Sequence, residues 1–539
     1  MKKILLAFTM LMFILACGGK GGSTEGGNSG KKGSTFTLNA VSEPQSIDPQ
    51  LSTDIVGGAV DDLITEGLLR RSKEGKPVAG LAEKWEATPD GLKWTFHLRD
   101  GIKWSNGDPI TANDFKAAWL RGLNPETAAE YAYMLYPIKN GEAYNTGKAK
   151  AEDVGITVVD DKTLEVTMEA PTPYFDDLIT FKTYMPMNEK FYKEVGDKYF
   201  TEADKTLSSG PYIMKTWKHD SEMTFEKNPN YWDNANVKVD NIVFKLISDN
   251  AAGFNAFKNG EVDVTSITVE QAKEFKDDPR LVTNNDGSVW YLLFNTKTKA
   301  LSNAKVRKAL LMAVNRDELT QTVLSGSGKT AKTFVPSEIG IRGLNKDFAE
   351  EVSTTIPVFN PEEAKKLLEE GLKELGMDKF PPFEMIFNDS GNNKLIAEYI
   401  QESLRKNLGV ELQLSAMTFQ ERVSRMKQKD FDFVLAGWSG DFHDPITYLD
   451  LFVTNGGNNH GSYSNARYDE LVRKIKSSAD PAVRVPAMIE IEKIIAEEVP
   501  VAPLRHGQKR YLVNPKVKGM QFTAIGGEYF FGNLSIEEK

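Results

Sequence analysis

Phe431-Asp432-Phe433-Val434-Leu435-Ala436-Gly437-Trp438-Ser439-Gly440-Asp441-Phe442-His443-Asp444-Pro445 changes character half-way along. Residues 431–438 read as a strand, rich in aromatic and aliphatic side chains. Ser439 to Pro445 read as the polar loop into which that strand runs. Ligands meet an α/β sheet at loops of this kind, outside strand ends. Working outward, strand-like and helix-like segments alternate through the chain, which predicts a mixed α/β protein. Thr35 to Val41 reads as a first strand, and Trp94 to Arg99 alternates with Trp94, Phe96 and Leu98 on one face. Leu164 to Met168 alternates in the same way.

Helices carry clearer punctuation. Asn360-Pro361-Glu362-Glu363 has a capping residue, proline at the first helical position and glutamate at the third, a capping box. Ala364, Leu367, Leu368 and Leu372 follow on one face, and Gly376 marks the stop. Thr418-Phe419-Gln420-Glu421 repeats the capping logic ahead of Val423 and Met426. Val306, Leu310, Ala313 and Val314 form a further apolar stripe. Such stripes read as core faces rather than cofactor boxes.

The chain has 539 residues, 40% apolar and 10% aromatic, enough for two to four domains. A net charge of −10 argues against nucleic acid as a partner. Five histidines and one cysteine leave little material for a metal centre. Gly326-Ser327-Gly328-Lys329-Thr330 ends like a phosphate-binding loop, but Val323 stands where the first glycine is needed. Gly437-Trp438-Ser439-Gly440 is no nucleophile elbow, because the second glycine comes one place early. His443-Asp444 has no fixed spacing to His460, and His443 reads as a satisfied loop histidine rather than a metal ligand.

Met1-Lys2-Lys3 is a basic start, Ile4 to Ala16 an apolar run, and Cys17 is the chain's sole cysteine. The run is too short to span a bilayer of about 30 Å, and it has the plan of a secretory signal. With cysteine directly after a small residue, residues 1–16 resemble a bacterial lipoprotein signal, although Ile14 replaces the more usual leucine. That resemblance implies that Cys17 becomes the acylated N-terminus. No thiol would then remain for disulfide, catalysis or metal. Residues 17–34, Gly- and Ser-rich, read as a lipidated cysteine and flexible tether.

Several segments, in order, resemble the extracytoplasmic oligopeptide-binding proteins of ABC importers, the peptide/nickel class of solute-binding proteins. They are SEPQSIDP (42–49), LAEKWEATPDGLKWTFHLRDGIKWSNGDPITANDF (81–115), DDKTLEV (160–166), SGPY (209–212), NPNYWD (228–233), VRKALLMAVNRDEL (306–319) and AGWSGDFHDP (436–445). The resemblance implies a periplasmic-binding-protein-like α/β fold, type II, cluster C, with two main lobes, a hinge and an extra lobe. Lobe I would take residues 35–65, 187–293 and 505–539, the extra lobe II residues 66–186, and lobe III residues 294–504. The ligand would lie between lobes I and III, enclosed by a hinge motion.

The same resemblance implies the site. Asp441 matches the aspartate that binds a peptide's α-ammonium. Ala436, Gly437, Trp438 and Ser439 match the segment that pairs with the peptide main chain. Thr53 and Ile55, with Asp54 between them, lie where the opposite wall supplies its own pairing strand. Tyr131 matches a tyrosine that lobe II contributes to the ligand's N-terminal end, and Tyr291, with Trp290 and Asn295, stands near the crossover into lobe III. Implied partners are an oligopeptide, ABC permease and ATPase subunits, and a membrane reached through the lipid. A monomer with no cofactor and no enzymatic activity is expected, outside the cytoplasm at the periplasmic or outer face.

Departures from the pattern bear on the ligand. Leu435 stands where the tripeptide-binding members have arginine; a histidine used for the ligand's carboxylate falls near Asn393, and a cleft tyrosine near Gly507. Arg505 and His506 lie beside that last position and could supply charge instead. Alternatives stay open: the same scaffold binding a nickel chelate, a sugar or another solute, or a hydrolase or surface adhesin. No nucleophile–base pair for a hydrolase can be assembled from these residues.

Overall fold

The computed structural model describes residues 33–537 apart from 74, 342–343, 345, 354–355, 390–391 and 526–527. Residues 1–16, Cys17 and all but the end of the tether lie outside the described residues.

Period-two patterning becomes strands where expected. Lys93–Leu98 buries Trp94, Phe96 and Leu98, and Thr163–Thr167 buries Leu164 and Val166. These two pair antiparallel at the centre of a four-stranded sheet, flanked by Ala82–Ala87 and Ile156–Asp160. This sheet lies wholly within residues 66–186.

The larger sheet has 11 strands. At one end Thr35–Asn39 pairs parallel with Asn241–Lys245, which continues antiparallel through Glu222–Lys227 to Tyr212–Lys218. At the other end Leu412–Met417, Phe383–Asn388 and Phe433–Ser439 run parallel. Two long antiparallel strands, Leu281–Phe294 and Val501–Val513, join the halves. Their ladder breaks register between Asn285 and Val289 and again between Trp290 and Tyr291. Gly287, at φ +61°, sits in the first break; a Cβ there would lie 2.1 Å from the Ala524 carbonyl oxygen. A bulge of this kind bends a strand and sharpens its twist.

Capping works as the residues dictate. Asn360 Oδ1 accepts from the Glu363 N–H at 3.1 Å to start the helix Pro361–Glu374, and Gly376 follows it at φ +63°. Thr418 Oγ1 accepts from the Glu421 N–H at 3.2 Å to start Phe419–Gln428. In the SGPY segment, Gly210 lies against the backbone of Thr65, where a Cβ would come within 2.7 Å of both its N and O. Only glycine allows that approach. Among the described residues, no helix is long and apolar enough to cross a membrane.

Candidate functional site

The strand Phe433–Ser439 is paired on one side along its whole length, from Phe294↔Phe433 to Ser288↔Ser439. On its other side Phe383–Asn388 stays only to Met385↔Phe433 and Ile386↔Val434. From 435 to 439 that second edge has no strand partner among the described residues. Gly437, Trp438 and Ser439 border a cavity of ≈ 2030 Å3. An open strand edge offers a row of backbone donors and acceptors, the template for adding an extended chain.

The strand ends in a loop fixed on both sides of Asp441. The Gly440 N–H donates to Tyr448 Oη at 3.1 Å, and that hydroxyl donates to the Gly287 carbonyl at 2.6 Å. The Asp441 N–H donates to Thr447 Oγ1 at 3.1 Å. Three residues on, Asp444 accepts from both terminal nitrogens of Arg484 at 2.8 Å, and both side chains are fully buried. The Asp441 carboxylate is thereby presented to the cavity by a rigid frame.

Around that carboxylate, Tyr133 OH donates to Oδ2 at 3.2 Å. Arg71 holds the loop through carbonyls, donating to Ile525 O at 2.7 Å and reaching Asp441 O at 3.4 Å. Lys182 Nζ donates to Ser52 Oγ and to Asp54 O at 3.2 and 3.3 Å, and lies 5.7 Å from the centre of the Tyr131 ring. Burial pushes the Asp441 carboxyl up to about 7, and Asp450 adds to this; the Tyr133 bond and the charges of Lys182 and Arg71 oppose it. A carboxylate so desolvated favours a cation arriving beside it.

The family model for bacterial extracellular solute-binding proteins, family 5 (middle), matches residues 76–460. The oligopeptide-binding protein OppA of Bacillus subtilis is 36% identical over 537 residues, covering 98% of this chain and 97% of that protein. The chain belongs to the family 5 extracellular solute-binding proteins. Within this family, the dipeptide-binding protein DppE of Bacillus subtilis is 34% identical over 94% of the chain and 93% of its own length. Among solved structures, Listeria monocytogenes OppA bound to peptide superposes with a TM-score of 0.81 at 35% identity, covering 94% of this chain and all of that one. The α/β fold of this family 5 member is periplasmic-binding-protein-like, type II.

Most residues that the family resemblance singles out meet at the cavity: Tyr131, Thr53, Ile55, Tyr291, Gly437, Trp438, Ser439 and Asp441 all border it. Ala436 does not. It is 2% exposed and lies opposite Tyr291 in the ladder, within the edge 435–439 that is open to pairing. The wall at Thr53 to Ile55 is no strand. Asp54 caps a helix, accepting from the Gly57 N–H at 2.8 Å, and Ile55–Ile64 is helical. Trp290 faces away from the cavity wall, with the Arg505 guanidinium 5.0 Å from its ring centre. Asn295 ties down the carbonyls of Lys429 and Phe431.

Arg505 and His506 do not border the cavity. Both are buried in Val501–Val513. Arg505 donates to Ser327 O, while His506 Nε2 lies 3.0 Å from Thr333 O and burial pushes it down to about 4. Lys329–Thr330 pairs with these same two residues as a short strand, so the glycine-rich segment runs into a strand and not into the helix that a phosphate-binding loop requires. His443 Nε2 lies 3.1 Å from the Glu338 carbonyl oxygen, and Asp444 is engaged by Arg484. Tyr133, Arg71, Lys182 and Thr447 were not singled out in the sequence. Only Tyr133, two residues from Tyr131, carried any local signal.

Proposed function

We propose that this family member captures oligopeptides through their free α-ammonium and main chain, and delivers them to a membrane permease driven by ATPase subunits, doing no chemistry itself. One observation carries the reading: the desolvated carboxyl of Asp441 stands at the end of an open strand edge in a large cavity. The ammonium of a peptide would sit at that carboxyl and its backbone would pair along 435–439. The names of the Bacillus subtilis relatives and the peptide held by the Listeria protein point to the same ligand class. Lobe I would comprise residues 35–65, 187–293 and 505–539, lobe II 66–186 and lobe III 294–504. Closure would bend the two joining strands near their register breaks.

Titration calorimetry with one tetrapeptide and its N-acetylated form tests this. The free peptide binds, and acetylation weakens it at least tenfold. The pH dependence follows from the raised Asp441 pKa. Protonated below about 7, the carboxyl must lose its proton to pair with the ammonium, so affinity falls as pH drops from 7.5 to 5.5. Above about 8 the peptide α-amino group itself deprotonates and affinity falls again. Equal affinity for free and acetylated peptide, or a profile flat across pH 7, contradicts the role of Asp441.

The anchor is read from Cys17 and the signal before it. Cys17→Ser should move the protein from the membrane fraction to the soluble extracytoplasmic fraction; retention on membranes in the absence of detergent contradicts acylation.

A further inference from the structure

Among the described residues, three of the other buried arginines are satisfied, while the fourth, Arg505, leaves its Nε unpartnered but donates to the Ser327 carbonyl and does not border the cavity. Arg484 grips Asp444, Arg307 donates to the carbonyls of Leu301, Ser302, Glu498 and Val499, and Arg316 to those of Ala331, Pro503, Ile356 and Pro357. Arg422, on the helix Phe419–Gln428, is different. It is 6% exposed and borders the large cavity. Among the described residues its Nη1 meets only the Met426 sulfur, at 3.1 Å, a weak acceptor, and its buried Nε has no partner. Its guanidinium lies 5.1 Å from the centre of the Phe419 ring. Arg425, one turn on, takes Glu384 and Asp430, so the nearby carboxylates are already engaged.

The surroundings are positive. His460, also on the cavity wall, is held below its ordinary pKa by burial and by Lys427, Lys429 and Arg422. An unpaired buried guanidinium destabilises the empty cleft until a partner arrives. Its planar fork suits a carboxylate, which it can hold through two parallel bonds.

The strand gives the spacing. Arg422 and Tyr291 both border the cavity, and Tyr291 lies opposite Ala436, five positions before Asp441. At about 3.3 Å per residue that separation is roughly 16 Å. A peptide anchored at Asp441 and extended along the open edge rises at the same rate, and brings its fourth or fifth residue to Arg422.

We infer that Arg422 binds a carboxylate at about the fourth or fifth residue of the bound peptide. The inference rests on the peptide-binding reading above. The carboxylate is either the C-terminus of a tetra- or pentapeptide or an Asp or Glu side chain at that position in a longer one.

Calorimetry with wild type, Arg422→Gln and Arg422→Lys tests it. The probes are pentaalanine as free acid and as C-terminal amide, and an octapeptide carrying Glu or Gln at position five. Wild type prefers acid over amide, Glu over Gln, or both, by at least tenfold; which ratio is large identifies the source. Arg422→Gln brings that ratio to unity while retaining affinity for the amide, and melts no lower than wild type because a buried unpaired charge has gone. Arg422→Lys, which keeps the charge but loses the fork, gives an intermediate ratio. Unit ratios in wild type, or wild-type ratios in Arg422→Gln, overturn the role of Arg422 while leaving peptide capture intact. Failure of wild type to bind any of these peptides overturns peptide capture itself, and this inference with it.

Discussion

Asp441→Asn should weaken binding of peptides with a free N-terminus at least tenfold and leave the fold intact. Asparagine has nearly the shape of aspartate, and its amide oxygen can still accept from Tyr133 OH, which lies 3.2 Å from Asp441 Oδ2. What it lacks is the charge. A hydrogen bond to a charged group contributes about 1.5–3 kcal/mol, equivalent to roughly tenfold to over a hundredfold in Kd. Closure of the cleft strengthens it by excluding water. Stability should hold or rise. Burial raises the Asp441 pKa to about 7, so ionising this group in the unliganded cleft works against the folded state as pH rises from about 4 to 7. N-acetylated peptides should bind wild type and variant alike, and the steep fall in affinity below pH 7 should vanish. Undiminished binding of free peptides by Asp441→Asn, measured by calorimetry, contradicts ammonium recognition at this carboxylate.

Arg484→Met should destabilise the protein by about 3–5 kcal/mol, because it strands Asp444 as a buried charge. Arg484 and Asp444 are 1% and 0% exposed and share two bonds of 2.8 Å. Asp444 lies three residues beyond Asp441, so the cost has a functional side. A loosened loop presents Asp441 less rigidly, and peptide affinity should fall although no ligand contact has been removed. Removing the other partner as well, in Arg484→Met with Asp444→Leu, should recover most of the stability, since a well-packed apolar pair often equals a buried ion pair. Urea unfolding reads both effects as midpoint shifts at constant slope. A loss below about 1 kcal/mol in the single variant contradicts this account of the pair.

The sequence made legible whatever depends on neighbours along the chain. Trp94, Phe96 and Leu98 alternate because one face of their sheet is buried, and Asn360 and Thr418 start helices because their side chains reach the N–H three residues on. The strand and loop around Gly437 to Asp441 were readable for the same reason. Errors arose where position in a pattern outweighed local chemistry. Asp54 followed by Ile-Val is a helix cap and a first turn, not a cleft strand. Ala436 does not itself border the cavity, although the strand edge at its position is open. Tyr133, Lys182, Arg71 and Arg422 come from four distant segments with no shared spacing. Only the fold brings them to one cavity, and only burial makes the Asp441 carboxyl and the Arg422 guanidinium unusual.

The most direct test of peptide capture is native mass spectrometry of the soluble protein beginning at Gly18, followed by denaturation and sequencing of what is released. The account predicts a mixture of short peptides with free N-termini, bound one per protein. A single defined non-peptide mass, or a metal chelate, in place of that mixture would contradict it.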